Sequence, residues 1–141
     1  FAFVGSRVYV GNVGDSRAYR FRGDQLRQLT EDHSLANEYV RLKLLRPQDV
    51  PYFPYKNVIV RALGLQEQVE VDTHFRTCRP GDRYVLCSDG LTDLVSDAEI
   101  TEIMQAHPQP KQAAEALVAL ALDHGGVDNV TVLVVNVDSD S

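Results

Sequence analysis

The sequence lacks the features that mark several common classes of protein. It contains no run of basic residues, and 14 Lys and Arg against 20 Asp and Glu give a formal charge of −6. An acidic chain without a basic patch is a poor partner for nucleic acid or for an anionic membrane surface. Its apolar runs are far shorter than the roughly 20 residues that span a bilayer. We therefore expect neither nucleic-acid binding nor membrane insertion.

Cysteine is scarce, which limits both metal chemistry and cross-linking. Cys78 and Cys87 are the only two cysteines, and each lies in an apolar, strand-like stretch. No Cys/His set of the kind that binds zinc is present. A disulfide would need an oxidising compartment, and no signal peptide indicates one. We expect two reduced thiols in the core of a cytoplasmic protein.

The sequence also lacks an initiator methionine, and Phe1 to Val4 is already typical of a strand. These features suggest a piece of a longer protein. The 141 residues, 44% of them apolar, are enough for one compact domain with a sizeable core. Internal repeats, low-complexity stretches and linkers are all missing. Residues 1–141 are therefore expected to belong to a single domain.

The most distinctive stretch is an apolar run that ends in a carboxylate followed by glycine. Arg83 to Cys87 is almost continuously apolar, as in a strand buried on both faces, and Ser88-Asp89-Gly90 follows at once. Such a strand fixes the position of Asp89, and the glycine lets the backbone turn away beside it. Asp89 is thus a candidate for chemistry. The alternative is a strand-to-helix turn in which Asp89 serves only as a cap.

The N-terminal region predicts an antiparallel meander. Gly5-Ser6 has the form of a two-residue hairpin turn between the strands Phe1–Val4 and Arg7–Val10. In the next strand, Arg17–Arg22, aromatic side chains alternate with arginines, which predicts a sheet with one solvated face. A weaker strand, from Gln25 to Thr30, would complete the meander.

The middle of the chain is less regular. Ser34 is a predicted cap for a helix from Leu35 to about Leu45, and Arg46–Lys56 is expected to be an irregular surface loop. A short strand is predicted at Val58–Val60. A further strand, Gln68 to Phe75, alternates in polarity, and its side chains are predicted to point inward at Val69, Val71, Thr73 and Phe75 and outward at Glu70, Asp72 and His74.

The C-terminal region predicts two helices and a closing strand. Ser96 and Glu99 form a capping-box pattern at the start of one helix, and Lys111–Leu122 forms the next. Val130–Val135 has the continuous apolar character of a buried strand. This order of elements predicts an α+β domain in which a helix pair covers one face of an antiparallel sheet.

Three aspartates lie at predicted strand ends: Asp15, Asp89 and Asp128. If the last strand pairs antiparallel with the central one, Asp89 and Asp128 become neighbours at one edge of the sheet. Carboxylates a few ångströms apart repel each other unless a cation lies between them, and hard oxygen ligands suit Mg²⁺ or Mn²⁺. Spacing alone leaves open the alternative that each aspartate only caps its own turn.

Five motifs resemble the metal-dependent Ser/Thr protein phosphatases of type 2C, the PPM family, in their bacterial form. They follow the family's order and approximate spacing over almost all of the 141 residues: Val10 to Arg17, Leu29 to Ser34, Arg79 to Asp82, Leu86 to Asp93 and Gly126 to Thr131. Each motif by itself is weak evidence for this resemblance, but the five together are specific for the family.

The resemblance implies part of a four-layer α/β/β/α sandwich, in which antiparallel helix pairs flank antiparallel sheets and two Mn²⁺ or Mg²⁺ ions lie at one end. A metal-bridging water would hydrolyse phosphoserine and phosphothreonine in proteins, opposing a cognate Ser/Thr kinase. Asp89 and Asp128 match ligands of the second metal, and Asp15 matches an aspartate that holds a looser third metal together with Asp89. The Arg46–Lys56 loop falls where the family carries a variable flap.

The sequence departs from the family pattern in one respect. The family's first metal motif, Asp-Gly-x-Gly-Gly, and its phosphate-gripping arginine precede the region matched here, and neither occurs in the 141 residues. We therefore expect the C-terminal part of one catalytic domain, inactive when isolated. His33 and His74 are weak candidates for a general acid, and Cys87 lacks the loop of a cysteine phosphatase. The alternative function is a non-catalytic regulatory or partner-binding module on the same fold.

Overall fold

The computed structural model describes residues 1–139, which form two antiparallel sheets. The seven strands, numbered in chain order, are β1 (Ala2–Val4), β2 (Arg7–Asn12), β3 (Arg17–Arg22), β4 (Gln25–Gln28), β5 (Asp72–Thr77), β6 (Arg83–Cys87) and β7 (Val132–Asn136). One sheet has the order β1-β2-β5 and the other has the order β4-β3-β6-β7. Every pair of neighbouring strands is antiparallel.

Helices cover one face of the four-stranded sheet. The α-helices are α1 (Leu35–Arg41), α2 (Asp89–Thr92), α3 (Asp97–Ala106) and α4 (Pro110–Asp123), and a 3-10 helix spans Pro47–Tyr52. The last two α-helices contribute to one core cluster with β3, β6 and β7. The expected α+β architecture of antiparallel sheets and a helix pair is therefore confirmed. Within residues 1–139, no helix has the length and apolar character needed to cross a membrane.

The β6 strand lies between two cores, as its continuous apolar run predicts. Val85 is fully buried on the helical side, together with Leu91 and Leu117. Tyr84 is fully buried on the opposite side, where it packs against Val8 of the other sheet. Both faces of β6 are thus covered, so the position of its C-terminal end is set by packing on two sides.

The N-terminal hairpin is confirmed, but the predicted meander is wrong. Val4 pairs with Arg7 across a two-residue turn in which Gly5 has φ 55°. The chain then crosses from one sheet to the other after β2, because β3 pairs with β4 and β6 instead. The arginine face of β3 consequently lies towards the other sheet rather than water, and Arg22 forms an ion pair with the buried Asp82.

Three predictions for the middle of the chain need correction. Helix α1 ends at Arg41 rather than near Leu45, because Lys43 adopts φ 60°, which an α-helix does not contain. The expected irregular loop contains the 3-10 helix. Val58–Val60 is not a strand in the structure and makes only an isolated bridge, between Ile59 and Ser34.

The predicted orientation of β5 is reversed. His74 pairs with Val10, whose side chain is buried between the sheets, so His74 and Asp72 lie on the inner face. Phe75 pairs with Tyr9 on the outer face and is 51% exposed. The inner face of an edge strand is decided by the strand it pairs with, and alternation alone does not identify it.

Candidate metal centre

The β6–β7 pairing brings two of the three predicted aspartates to one edge of the sheet. Cys87 at the end of β6 pairs with Val132 at the start of β7. Beyond this pair, the Ser88 N–H donates to the Thr131 carbonyl at 3.1 Å, and the Thr131 N–H donates to Ser88 Oγ at 3.0 Å. The antiparallel pairing on which the adjacency of Asp89 and Asp128 depended is therefore present. Asp89 follows directly as the first residue of α2.

A glycine lets the two aspartate-bearing segments approach closely. A Cβ atom at Gly90 would lie 2.1 Å from the backbone oxygen of Asn129, which is an impossible contact. Any larger residue would push the loop that carries Asp128 away from the start of α2. Asp128 itself is exposed, and its Oδ1 accepts a hydrogen bond from the Asn129 N–H at 2.7 Å. That bond gives some support to the turn-capping alternative for Asp128.

Asp15 reaches the same region from the turn between the two sheets. It follows Gly14, whose φ of 106° favours glycine. Partial burial raises the pKa of Asp15, and the negative charge of Asp89 raises it further. Asp15 and Asp89 also line the same cavity, so the two residues border one space. A metal ion shared between them stays a prediction.

Asp93 is a fourth carboxylate of this region, which sequence reasoning left out of the candidate site. Burial raises the pKa of Asp93, the charge of Asp89 raises it further, and Asp128 adds a smaller contribution. Asp93 lies one helical turn after Asp89, and that spacing was the available signal. Negative charge is thus only partly compensated at this end of β6.

Asp15, Asp89 and Asp93 border a cavity of about 270 Å³ beneath the 3-10 helix, whereas Asp128 is not part of its lining. Its acidic lining comes from Asp15, Asp32, Asp89 and Asp93, and its cationic lining from Arg17 and Lys56. Val50 and Pro51 close it on the side of the 3-10 helix. The segment predicted to be a flap therefore borders the acidic cavity.

The arginine of the cavity is engaged by one of these acids. Arg17 donates to Asp32 from Nε at 2.9 Å and 3.1 Å and from Nη2 at 2.7 Å. The guanidinium of Arg17 thus balances the negative charge of Asp32 and fixes the orientation of its carboxylate. Asp32 is therefore a wall of the cavity, whereas Asp15, Asp89 and Asp93 remain available for a cation.

The donor set suits a hard divalent cation but is incomplete within the described residues. Carboxylate oxygens with uncompensated charge are the ligands that Mg²⁺ and Mn²⁺ prefer. Across residues 1–139, however, no three His, Cys, Asp or Glu side chains are close enough together to hold a metal ion. Asp15, Asp89 and Asp128 therefore remain predicted ligands, and further donors would be needed to complete a closed site.

The weak candidates for other chemistry lie in structural positions. Both ring nitrogens of His33 are engaged, Nδ1 as acceptor from the Gly14 N–H and Nε2 with Asp72, so the ring has no free nitrogen for a general acid. Burial raises the pKa of the Cys87 thiol to about 12, which is opposite to the requirement for a nucleophilic cysteine.

Two antiparallel sheets, a helix pair and an acidic cavity at one end define an α+β sandwich with a carboxylate-lined site. Comparison with family models then identifies the family. Residues 43–138 match the model of Stage II sporulation protein E, and residues 1–46 match that of Protein phosphatase 2C. The chain belongs to the PPM family of protein phosphatases, in its bacterial form, as the five motifs suggested.

Named relatives agree with this assignment. The chain is 44% identical over 130 residues to a serine/threonine phosphatase, stp, of Listeria innocua, and the match covers 92% of the chain and 52% of the relative. It is 42% identical over 135 residues to the serine/threonine protein phosphatase PstP of Mycobacterium tuberculosis, covering 96% of the chain and 26% of that protein. The chain thus spans about half the length of the Listeria relative and less of the mycobacterial one.

Solved structures show the same fold. The crystal structure of the M. tuberculosis serine/threonine phosphatase PstP/Ppp superposes with a TM-score of 0.92 at 40% identity, over 97% of the chain and 57% of that structure. A second structure, of the PstP catalytic domain in complex with two manganese ions, has a TM-score of 0.85 at 40% identity and covers 97% and 56%.

Proposed function

We propose that the protein containing these residues hydrolyses phosphoserine and phosphothreonine in other proteins. The observation that carries the proposal is the acidic cavity, where burial and then the charge of Asp89 raise the pKa values of both Asp15 and Asp93. A purely structural turn has no need for several carboxylates that repel one another. The relatives named as serine/threonine phosphatases support this choice of reaction.

Each aspartate has a proposed role towards the metal ions. Asp89 and Asp128 would hold one of two ions from adjoining strand ends, and Asp15 would share a looser third ion with Asp89. Two Mn²⁺ or Mg²⁺ ions would activate a water near neutral pH and neutralise charge on the phosphoryl oxygens. The manganese-containing PstP structure supports this kind of cofactor. We assign no catalytic or substrate-binding side chain among these residues.

The cellular setting follows from the same proposal. Substrates would be phosphorylated proteins, and a Ser/Thr kinase would supply them. Cys78 and Cys87 are both free and buried, which suits a reducing compartment such as the cytoplasm. The 3-10 segment beside the acidic cavity would meet the phosphoprotein first.

The test compares the intact catalytic domain with the isolated 141-residue chain on a phosphothreonine peptide. We expect the intact domain to need Mn²⁺ or Mg²⁺, to lose turnover with EDTA and to recover it when metal is restored. The isolated chain should bind metal weakly and show no turnover. It should also self-associate, because Tyr9 and Phe75 are exposed on its outer sheet. Robust hydrolysis by the isolated chain would contradict the proposal that metal ligands outside these 141 residues are needed.

The second candidate function is a non-catalytic binding module. It is favoured by one observation, the lack of any three-ligand group within the described part of the chain. If the intact domain fails to hydrolyse any phosphopeptide at saturating Mn²⁺, this second function replaces the first.

A further inference from the structure

A buried histidine fastens the turn that carries Asp15. His33 is 7% exposed and lies between the end of β4 and the start of α1. Its backbone N–H donates to the Gly14 carbonyl at 2.9 Å, and the Gly14 N–H donates back to His33 Nδ1 at 2.9 Å. Both polar groups of the Gly14 backbone are thus bound to one residue, directly before Asp15.

The far side of the ring is fixed as well. Because Nδ1 accepts from the Gly14 N–H, the neutral ring carries its proton on Nε2. That nitrogen lies 2.7 Å from Asp72 Oδ2 and therefore donates to it. Asp72 Oδ1 accepts from Arg61 Nη1 at 2.8 Å. Arg61 Nη1 also lies 3.1 Å from His33 Nε2, but its shorter contact is the one to Asp72. The Gly14 N–H thus sets the tautomer of His33, and Asp72 at the start of β5 fixes the orientation of the ring.

The two hydrogen bonds between His33 and the Gly14 backbone, here called the His33 clamp, matter because neighbouring carboxylates repel Asp15. Gly14 has φ 106°, and Asp15 faces the cavity that also contains Asp89 and Asp93. Repulsion among these acids tends to move the turn away from the cavity. The His33 clamp holds Gly14, the residue immediately before Asp15, and so opposes this movement of the turn.

We propose that His33 is a positioning residue, which holds the Gly14 backbone so that Asp15 points towards the carboxylates at the end of β6. The proposal rests on the proposed function, since Asp15 is placed for a metal ion. His33 makes no contact with substrate or metal in this role. It acts through one acceptor atom, Nδ1. Because Nε2 binds Asp72 instead, a variant that keeps only one of the two hydrogen bonds can test this role.

Two isosteric variants separate the two nitrogens. In His33→Asn the amide oxygen replaces Nδ1, so the bond from Gly14 is kept and the bond to Asp72 is lost. In His33→Gln the amide nitrogen replaces Nε2, so the bond to Asp72 is kept and the bond from Gly14 is lost. The Asp72→Asn variant is the matched control, because it weakens the outer contact and leaves the Gly14 bond in place.

Hydrogen exchange at the Gly14 amide of the intact, metal-free domain is the first readout, and it needs no activity. We expect His33→Gln to exchange about tenfold faster than wild type, and His33→Asn and Asp72→Asn to stay close to wild type. With Mn²⁺ and a phosphopeptide, His33→Gln should lose about tenfold in kcat at an unchanged KM and need more Mn²⁺ for half-maximal turnover. His33→Asn should retain most of both.

The proposal is overturned if the two variants behave alike in exchange and in metal dependence, since that would indicate simple core packing. It is also overturned if the wild-type Gly14 amide exchanges as an open amide, or if no through-hydrogen-bond coupling joins it to a ¹⁵N-labelled His33 Nδ1. These two wild-type measurements decide the matter even if a variant fails to fold. An inactive wild type with a protected Gly14 amide would instead count against the phosphatase function.

Discussion

The two ends of β6 place aspartates in opposite electrostatic settings. Asp82, just before the strand, is 1% exposed and accepts hydrogen bonds from Arg22 at 2.5 Å and 2.6 Å and from the Arg79 N–H at 2.9 Å. Burial by itself would raise the pKa of Asp82, but these donors outweigh it and leave the pKa lowered. Beyond the other end, burial raises the pKa values of Asp15 and Asp93, and the charge of Asp89 adds to this rise instead of offsetting it.

This difference separates a structural carboxylate from candidate functional ones. A buried carboxylate with its own arginine and backbone donor stabilises the charged form and the fold around it. Carboxylates that repel one another reduce stability unless a cation lies among them. We therefore expect metal ions to bind at the end where the negative charge is only partly compensated. The compensated end would serve to hold the strand in place.

The largest effect is expected from the uncompensated end of β6. Asp89→Asn or Asp128→Asn in the intact domain should lower Mn²⁺-dependent turnover about a thousandfold, because a metal ligand is lost from the two-ion centre. The fold should be unchanged. Phosphopeptide kinetics at limiting metal measure the effect, and Asp123→Asn, on the exposed end of α4, is the control. Unimpaired turnover at limiting metal would rule out the assignment.

Removing the compensated carboxylate should affect stability instead. We expect Asp82→Ala to lower the free energy of unfolding by about 3 kcal/mol, because Arg22 loses its partner and the Arg79 N–H loses its acceptor. Turnover per folded molecule should be unaffected. Urea denaturation, followed by kinetics below the transition, measures both quantities. A large fall in kcat with normal stability would show that the two ends are not separate in function.

Asp15 should affect turnover without affecting the main metal pair. We expect Asp15→Ala to lower kcat on phosphopeptides by about a hundredfold, since a lost third ion removes help in orienting or deprotonating the attacking water. Tight Mn²⁺ binding, measured by calorimetry, should be nearly unchanged. The capping alternative predicts the opposite pair of results, a lowered Tm with normal turnover.

The smallest effect is a difference in pH dependence between the two ends in metal-free protein. Asp82 has a lowered folded-state pKa, so its stabilisation is present above the ordinary value of 3.8 and is lost as pH falls through the lowered pKa. Asp15 has a raised folded-state pKa, so its contribution is favourable below 3.8 and is lost as pH rises through the raised pKa.

Unfolding of two variants between about pH 3 and 7 measures this difference. Asp15→Asn should be more stable than wild type at pH 7, by a few tenths of a kcal/mol because solvent screens the partly exposed site, and this gain should vanish at low pH. The loss in free energy of unfolding caused by Asp82→Asn should instead become smaller as pH falls. If the unfolding free energies of the two variants changed with pH in the same way, the two ends of β6 would not differ in their electrostatics.

Local signals predicted much of this structure. The apolar run of β6, the Gly5-Ser6 turn and the capping box at Ser96 are each confirmed, because backbone geometry there depends on neighbouring residues. The pairing of β6 with β7 was only a condition at the level of sequence, and the structure meets it, which makes the Asp89 and Asp128 segments adjacent. The ligand assignments themselves stay predictions.

Long-range choices were harder to predict. The crossing between sheets after β2 and the inner face of β5 depend on which strands pair, which no alternation pattern specifies. The clamp between His33 and Gly14 joins residues 19 positions apart, and the histidine next to a helix cap gave no sign of its partner. Asp93 was visible one turn after Asp89, but its link to the acidic cavity required the fold.

Anomalous diffraction at the manganese edge, from crystals of the intact domain grown with Mn²⁺, would locate the metal ions relative to the two ends of β6. We expect an anomalous peak within coordination distance of both Asp89 and Asp128, and none beside Asp82. A weaker peak should lie between Asp15 and Asp89 at higher Mn²⁺. Fully occupied manganese sites that leave Asp89 and Asp128 without metal would show that these aspartates are not ligands.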